Sequence, residues 1–138
     1  MKFKECLCFQ LSRAVKKMTK YYRDRITEFG LTHTQFFLLT ALYEEDGILV
    51  SELAKKIGVD KATMTGLIDR LEQDGLIRRE KDHSDRRVYK IFLTKKSEEL
   101  REKLTKIYHE VNMVFLSSLS NQEKETLNNI INKIENIK

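Results

Sequence analysis

At 138 residues, 41% of them hydrophobic and 34% charged, the chain has room for one globular domain, or one domain with oligomerisation helices attached. No apolar run approaches the roughly 18 residues of a membrane span, and the opening MKFKECLCF lacks the apolar core and cleavage site of a signal peptide. A cytoplasmic protein is therefore expected. There is no Gly-rich phosphate loop, nucleophile elbow or metal-protease motif, so nothing supports an enzyme.

With no proline and only five glycines, long helices are favoured over a many-stranded sheet. The first is predicted over 5–29, where Leu7, Leu11, Ala14 or Val15, Met18, Tyr22, Ile26 and Phe29 recur every three or four positions until Gly30. Its polar side carries Arg13, Lys16, Lys17, Lys20, Arg23 and Arg25, which read as a solvated helix face. Cys6 and Cys8 fall two apart on this helix and so point about 200° away from each other, which disfavours a disulfide or a shared ion. One is expected to face the core and the other solvent. Thr32 with Gln35 forms a capping-box pattern that opens a second helix, with Phe36, Phe37, Leu39, Leu42 and Tyr43 as its apolar surface. The run Glu44-Glu45-Asp46-Gly47 breaks it, and Ile48-Leu49-Val50 has the length of a short strand.

Residues 51–94 carry the densest signals. Ser51 is a good N-cap for a short helix with Leu53, Ala54 and Ile57 on one face, stopped by Gly58. Asp60 caps the next, in which Ala62, Leu67, Ile68 and Leu71 recur while Lys61, Thr63, Thr65, Asp69 and Arg70 stay polar. Gly75 ends it. Two helices joined by a short Gly-containing turn form a helix-turn-helix, whose second helix enters the major groove by its N-terminal end. That end reads Lys61, Ala62, Thr63, Met64, Thr65, small and hydroxylated side chains suited to base edges beside a cation suited to phosphate or guanine. Ser51 and Arg70 complete the expected contact set on the helices. Two strand-like runs follow, at 76–81 and 88–93, around the polar turn Asp82-His83-Ser84-Asp85-Arg86-Arg87. His83, Arg86 and Arg87 on that tip are placed to meet DNA, and an arginine so carried suits a narrow minor groove. Asp85 lies two residues from Arg87, so that a pair between them holds the guanidinium extended. The net charge of +5 follows this plan: residues 51–96 carry +4 and 1–30 carry +5, against −3 for 31–50 and −1 for 97–138.

Beyond the hairpin, Thr94 caps a helix from Lys95 to near Leu119 with Leu100, Leu104, Ile107 or Tyr108, Val111 and Val114 or Phe115 on it. Ser120 with Glu123 opens a last helix whose stripe is Leu127, Ile130, Ile131 and Ile134. Neither helix has an evident partner nearby in the sequence, and pairing with a second copy by two-fold symmetry is the economical cover. Such a homodimer sets two recognition helices roughly 34 Å apart, as a palindromic site on double-stranded DNA requires.

Helix, turn, helix and then DGLIRREKDHSDRRVYKIFLT, with Asp82, Asp85, Arg87, Leu93 and Thr94 as the most specific part, resembles the winged helix-turn-helix of the multiple-antibiotic-resistance regulator (MarR) family. The resemblance extends over essentially the whole chain. It implies a mainly α fold, with a winged helix-turn-helix at 32–94 and a small β-wing, and with dimerisation helices at 1–31 and 95–138. It also implies a homodimer, most simply a repressor, that binds a pseudopalindromic operator and is released by a signal. Leu7-Cys8-Phe9 followed by Met18-Thr19-Lys20 and Tyr22 resembles the organic-hydroperoxide-sensing members of that family. By that resemblance Cys8 is the oxidised thiol and Tyr22 one of its hydroxyl partners, contributed by the other subunit. His33 stands where a second partner tyrosine is expected and Ser12 where a further one is. The alternative is a small phenolic or aromatic effector held by Phe36, Phe37, Tyr22, Met18 and His33. No cofactor is expected, and His33, His83 and His109 with two cysteines show no ligand-like spacing for a metal.

Overall fold

The computed structural model describes residues 1–138. Six α-helices and three strands follow one another as α1 (Leu7–Ile26), α2 (His33–Glu44), β1 (Ile48–Leu49), α3 (Val50–Ile57), α4 (Lys61–Gln73), β2 (Ile77–Lys81), β3 (Tyr89–Leu93), α5 (Lys95–Leu116) and α6 (Asn121–Glu135). The strands form one antiparallel sheet in the order β1-β3-β2, with Ile48 opposite Ile91 and Ile77 opposite Leu93. This is the winged helix-turn-helix expected from the sequence, flanked by long helices. No helix is long and apolar enough to cross a membrane.

Local chemistry sets most of the boundaries. Thr32, Thr94 and Ser120 each accept a hydrogen bond from the backbone N–H three residues on, and the side chains of Gln35, Ser97 and Glu123 reciprocate as complete capping boxes. Gly30 closes the first helical segment in the left-handed region at φ 71°. Gly47 is required twice over. Its φ is +73°, and a Cβ there would stand 2.9 Å from Cε1 of Phe92, so the turn into β1 admits no side chain. The neighbouring Asp46 carboxylate accepts from the Leu93 N–H at 2.8 Å, stitching that turn to the end of β3.

Four boundaries differ from those read in the sequence. The first helix is not continuous over 5–29: a 3₁₀ turn occupies Phe3–Glu5, Cys6 is the extended N-cap of α1, and a second 3₁₀ turn covers Thr27–Phe29. Cys6 is therefore off the helix, and both thiols are exposed rather than one being core and one solvent. Ser51 does not cap α3. β1 runs directly into the helix, so the extended cap position falls on Leu49 and Val50 is already helical. Finally, α5 ends at Leu116, short of Leu119.

One core unites the helices and the sheet. Phe36, Leu38, Leu39 and Leu42 of α2 are completely buried together with Ile26, Leu53, Met64, Ile68, Leu71, Ile77, Ile91 and Leu104. Contrary to the sequence expectation, α5 does have a partner within its own chain. Leu104, Ile107 and Val111 are buried against α1 and α2, Tyr21 meets Phe115 edge-on at 5.1 Å, and the Tyr22 hydroxyl donates to Asn112 Oδ1 at 3.2 Å. Helix α6 buries no residue.

Polar bonds tie the C-terminal end of α4 to the start of α5. Thr94 Oγ1 donates to the Gly75 carbonyl at 2.6 Å and Lys96 Nζ to that of Asp74 at 2.7 Å, while Gln35 Nε2 donates to the Asp74 carboxylate at 3.0 Å. Tyr43 donates to the Ser97 carbonyl at 2.6 Å, and its own carbonyl accepts from Arg101. Burial first and Glu98 second push the Tyr43 hydroxyl up to about 12, so it stays a neutral donor throughout the physiological range. The start of α5 is thereby fastened to the end of α4 and to α2 by short, directional contacts.

Candidate nucleic-acid interface

The surface that presents α4 is built from one cap and one buried stripe. Asp60 Oδ1 accepts from the Thr63 N–H at 2.7 Å, fixing the first turn, and these backbone hydrogen bonds lower the Asp60 pKa. Met64, Ile68 and Leu71, spaced four and three apart, turn inward and are fully or almost fully buried. The opposite side therefore faces solvent, with Lys61, Ala62, Thr63, Thr65, Gly66 and Arg70 exposed. Met64 is a correction: read in the sequence as a base-contacting residue, it has no exposed surface and belongs to the core beneath the helix. Thr65 Oγ1 donates to the Lys61 carbonyl at 2.9 Å, leaving its methyl and a lone pair outward. Ser51 is exposed on the first turn of α3, free of a capping role.

The wing is organised by two carboxylates. Asp82 accepts from the Ser84 hydroxyl at 2.5 Å and the Asp85 N–H at 3.2 Å, and pairs with Lys90 Nζ at 3.4 Å, so it folds the turn. Asp85 takes the Arg87 guanidinium in a forked contact, Nε to Oδ1 at 3.0 Å and Nη2 to Oδ2 at 3.2 Å, and also accepts the Arg87 N–H. These bonds hold both carboxyls below the usual carboxylate range, Asp82 chiefly through Ser84 and Asp85 chiefly through Arg87. The Arg87 side chain is nonetheless 89% exposed. An exposed cation, pre-oriented by its carboxylate partner, is suited to a groove lined with phosphates. His83 and Arg86 are exposed beside it.

One part of the site has no counterpart in the sequence reading. Arg79 of β2 reaches back to α4, with Nη1 3.0 Å from Asp69 and Nη2 2.8 Å from Glu72, while Glu72 also accepts the Arg79 N–H. Glu72 is held below its ordinary range by that guanidinium. This clamp ties β2 of the wing to the outer side of α4. The available signal was the acidic pair three apart on α4, close in sequence to an arginine-bearing strand. Arg78, on the other face of β2, lies over the Phe92 ring at 4.6 Å.

Arg87→Ala is expected to weaken binding to a specific duplex by roughly ten- to a hundredfold and to lower the salt slope by about one ion. Thermal unfolding should be unchanged, because an exposed pair contributes little to stability. Fluorescence anisotropy at several salt concentrations reads the first two quantities and a melting curve the third.

Of the residues read as sensors, Tyr22, His33 and Phe36 lie together around Phe37, and Cys8 stands apart from them within a protomer. Cys8 and Tyr22 are fourteen positions apart on α1, about 21 Å at helical rise, and the Tyr22 ring is buried among Phe36 at 5.1 Å and Phe37 at 5.3 Å. Burial raises the Tyr22 pKa, with Tyr108 adding to the effect. His33 is exposed and meets Phe37 edge-on at 6.3 Å. Phe36 is completely buried. Tyr22, Phe36 and Phe37 thus pack ring on ring. An open cleft of about 290 Å³ lies further along α2 and α5, lined by Thr40, Tyr43, Arg101, Leu104, Tyr108 and His109.

Comparison with known proteins bears on this geometry. A family model described as MarR matches residues 31–89. The HTH-type transcriptional regulator MgrA of Staphylococcus aureus is 36% identical over 132 residues, which cover 95% of this chain and 88% of that protein. Among solved structures, the S. aureus MepR–DNA complex superposes with a TM-score of 0.85 at 27% identity, covering 93% of this chain and 95% of that one. A probable transcriptional regulator from Pseudomonas aeruginosa gives 0.84 at 28% identity, covering 96% and 99%.

Proposed function

The chain belongs to the MarR family of DNA-binding transcriptional regulators, and from that premise we propose that it is a homodimeric repressor, released from a pseudopalindromic operator when Cys8 is oxidised. It is a regulator and not an enzyme. Double-stranded DNA is its partner, received by α4 in the major groove and by Arg87 in the adjacent minor groove.

The observation that carries the dimer is the apolar surface left open at the two ends of the chain. Leu7, Leu11 and Val15 of α1 are 56%, 44% and 58% exposed, and Leu127, Ile130 and Ile131 of α6 are 41%, 49% and 44% exposed. Contiguous apolar surface of this kind marks a contact face. On this reading residues 1–31 and 95–138 dimerise while 32–94 read DNA.

Cys8 lies on that same surface. It lines a groove of about 560 Å³ with Leu7, Leu11, Ser12, Val15, Lys16 and Ile134. A hydroperoxide that accepts the thiolate's electron pair leaves a sulfenic acid and an alcohol, and a small thiol then displaces water to give a mixed disulfide. Either product places polar bulk in an apolar seam, which shifts the two recognition helices out of their paired spacing. Tyr22 and His33 reach this thiol only if a second copy supplies them. A second reading, release by a small aromatic effector, draws on the cleft lined by Tyr43, Arg101 and Tyr108, which joins a cation to aromatic walls.

The test is an anisotropy titration on operator DNA before and after organic hydroperoxide, then after thiol reductant, for wild type and Cys8→Ser. Release by peroxide, recovery with thiol and an inert Cys8→Ser are the expected results. Peroxide release that persists in Cys8→Ser, or wild-type binding indifferent to peroxide, overturns the redox reading and leaves the aromatic effector.

A further inference from the structure

Four of the five glycines sit at turns with positive φ, at positions 30, 47, 58 and 75. Gly66 is the exception. It lies in the interior of α4 with ordinary helical backbone, and a Cβ built on it meets nothing within 4 Å. Neither backbone conformation nor packing asks for glycine at this position. A helix-interior glycine is nevertheless among the less stable choices, since its unfolded chain is freer and its helix gains no side-chain contact. Something other than the fold must account for it.

Its place on the helix supplies the account. At about 100° per residue, Gly66 falls almost directly opposite the inward stripe of Met64, Ile68 and Leu71. It is thus the centre of the exposed arc, one turn after Ala62 and Thr63 and one before Arg70. A helix seated in the major groove approaches the bases along the middle of its outward arc, and that is where a side chain would set the standoff.

We propose that Gly66 is a specificity-determining residue, whose missing side chain lets α4 seat deeply enough for Ala62, Thr63 and Thr65 to reach base edges. The inference rests on α4 being the DNA-reading helix. Phosphate contacts from the exposed lysines reach outward on long flexible stems, and Arg87 acts from the separate wing, so neither is sensitive to this depth.

The experiment compares wild type, Gly66→Ala and Gly66→Leu, two substitutions of nearly equal helix propensity that differ in bulk. The probe is the duplex that wild type enriches from a random library, with a scrambled duplex at low salt as control. Both variants should melt about 3 °C higher than wild type. Affinity for the selected duplex should fall about fivefold for Gly66→Ala and about a hundredfold for Gly66→Leu, the range of one lost base-pair contact, while scrambled-duplex binding is unchanged. Variants that hold the selected duplex as tightly as wild type overturn the proposal. So does an equal loss in both, which would assign the effect to helix flexibility. Failure of wild type to enrich any sequence would instead overturn the DNA-reading assignment of α4, and this inference with it.

Discussion

Ile130→Asp combined with Ile134→Asp is expected to yield a folded single chain that has lost nearly all operator binding. Helix α6 buries no residue in the protomer, so the two changes remove little from the core formed by α1 to α5. Their cost falls on the proposed homodimer. Two-fold symmetry doubles the substitutions, placing four carboxylates in a seam otherwise lined by Leu7, Leu11, Val15 and the remaining α6 stripe. Burying a full aliphatic side chain contributes about 1.5–3 kcal/mol, whereas an unpaired buried carboxylate costs several kcal/mol even after relaxation. The seam cannot close around four of them. A monomer then binds each half-site alone and loses the second, effectively intramolecular contact, a loss of about a thousandfold. Light scattering coupled to size exclusion should report one chain, circular dichroism a nearly unchanged helix content, and anisotropy the lost affinity. A dimer of normal mass, or a monomer that binds the operator as wild type does, would remove the homodimer from the functional reading.

What the sequence made legible here is what depends on near neighbours along the chain. The capping boxes at Thr32 and Ser120 each need only two residues three apart and are legible in the sequence, whereas at Thr94 only the cap itself is, because the reciprocating residue is Ser97 rather than a Glu or Gln. The Asp85–Arg87 pair spans two residues and was readable for the same reason. Ser51 misled because Leu49, an unremarkable apolar residue, takes the cap position when a strand feeds straight into a helix. The Arg79 clamp on Asp69 and Glu72 depends on the angle at which β2 passes α4, a tertiary quantity. The burial of Ile107 and Val111 against α1 likewise depends on how the chain returns across itself, which periodicity alone does not state. Gly66 is not legible in the sequence, because glycine in a helix reads as a weakness until its surroundings are known to be empty.

Met64 carries the sharpest separation between fold and recognition. It sits between Thr63 and Thr65 at the end of α4 proposed to read DNA, yet its side chain has no exposed surface and completes the stripe with Ile68 and Leu71. Its spacing of four and three from those residues was present in the sequence, but the first turn of a recognition helix invites reading as a continuous contact string. Met64→Ala should therefore destabilise the protein by about 2–4 kcal/mol, the range for truncating a buried Met with partial collapse around the void. That is a large share of the stability of a domain this size. The surviving folded molecules should select the same DNA sequence as wild type, because the exposed arc is untouched. Thr63→Ala is the converse case: Thr63 is exposed, and alanine keeps the backbone N–H that Asp60 accepts while losing only the hydroxyl's bond to that carboxylate, so the unfolding free energy should stay within about 1 kcal/mol of wild type while base preference shifts at the position it faces. Urea titrations paired with selection from a random duplex library distinguish the two. A Met64→Ala variant with wild-type midpoint and altered base preference would place that side chain on the DNA, and with it would fall the assignment of the inward stripe that orients α4 in the groove.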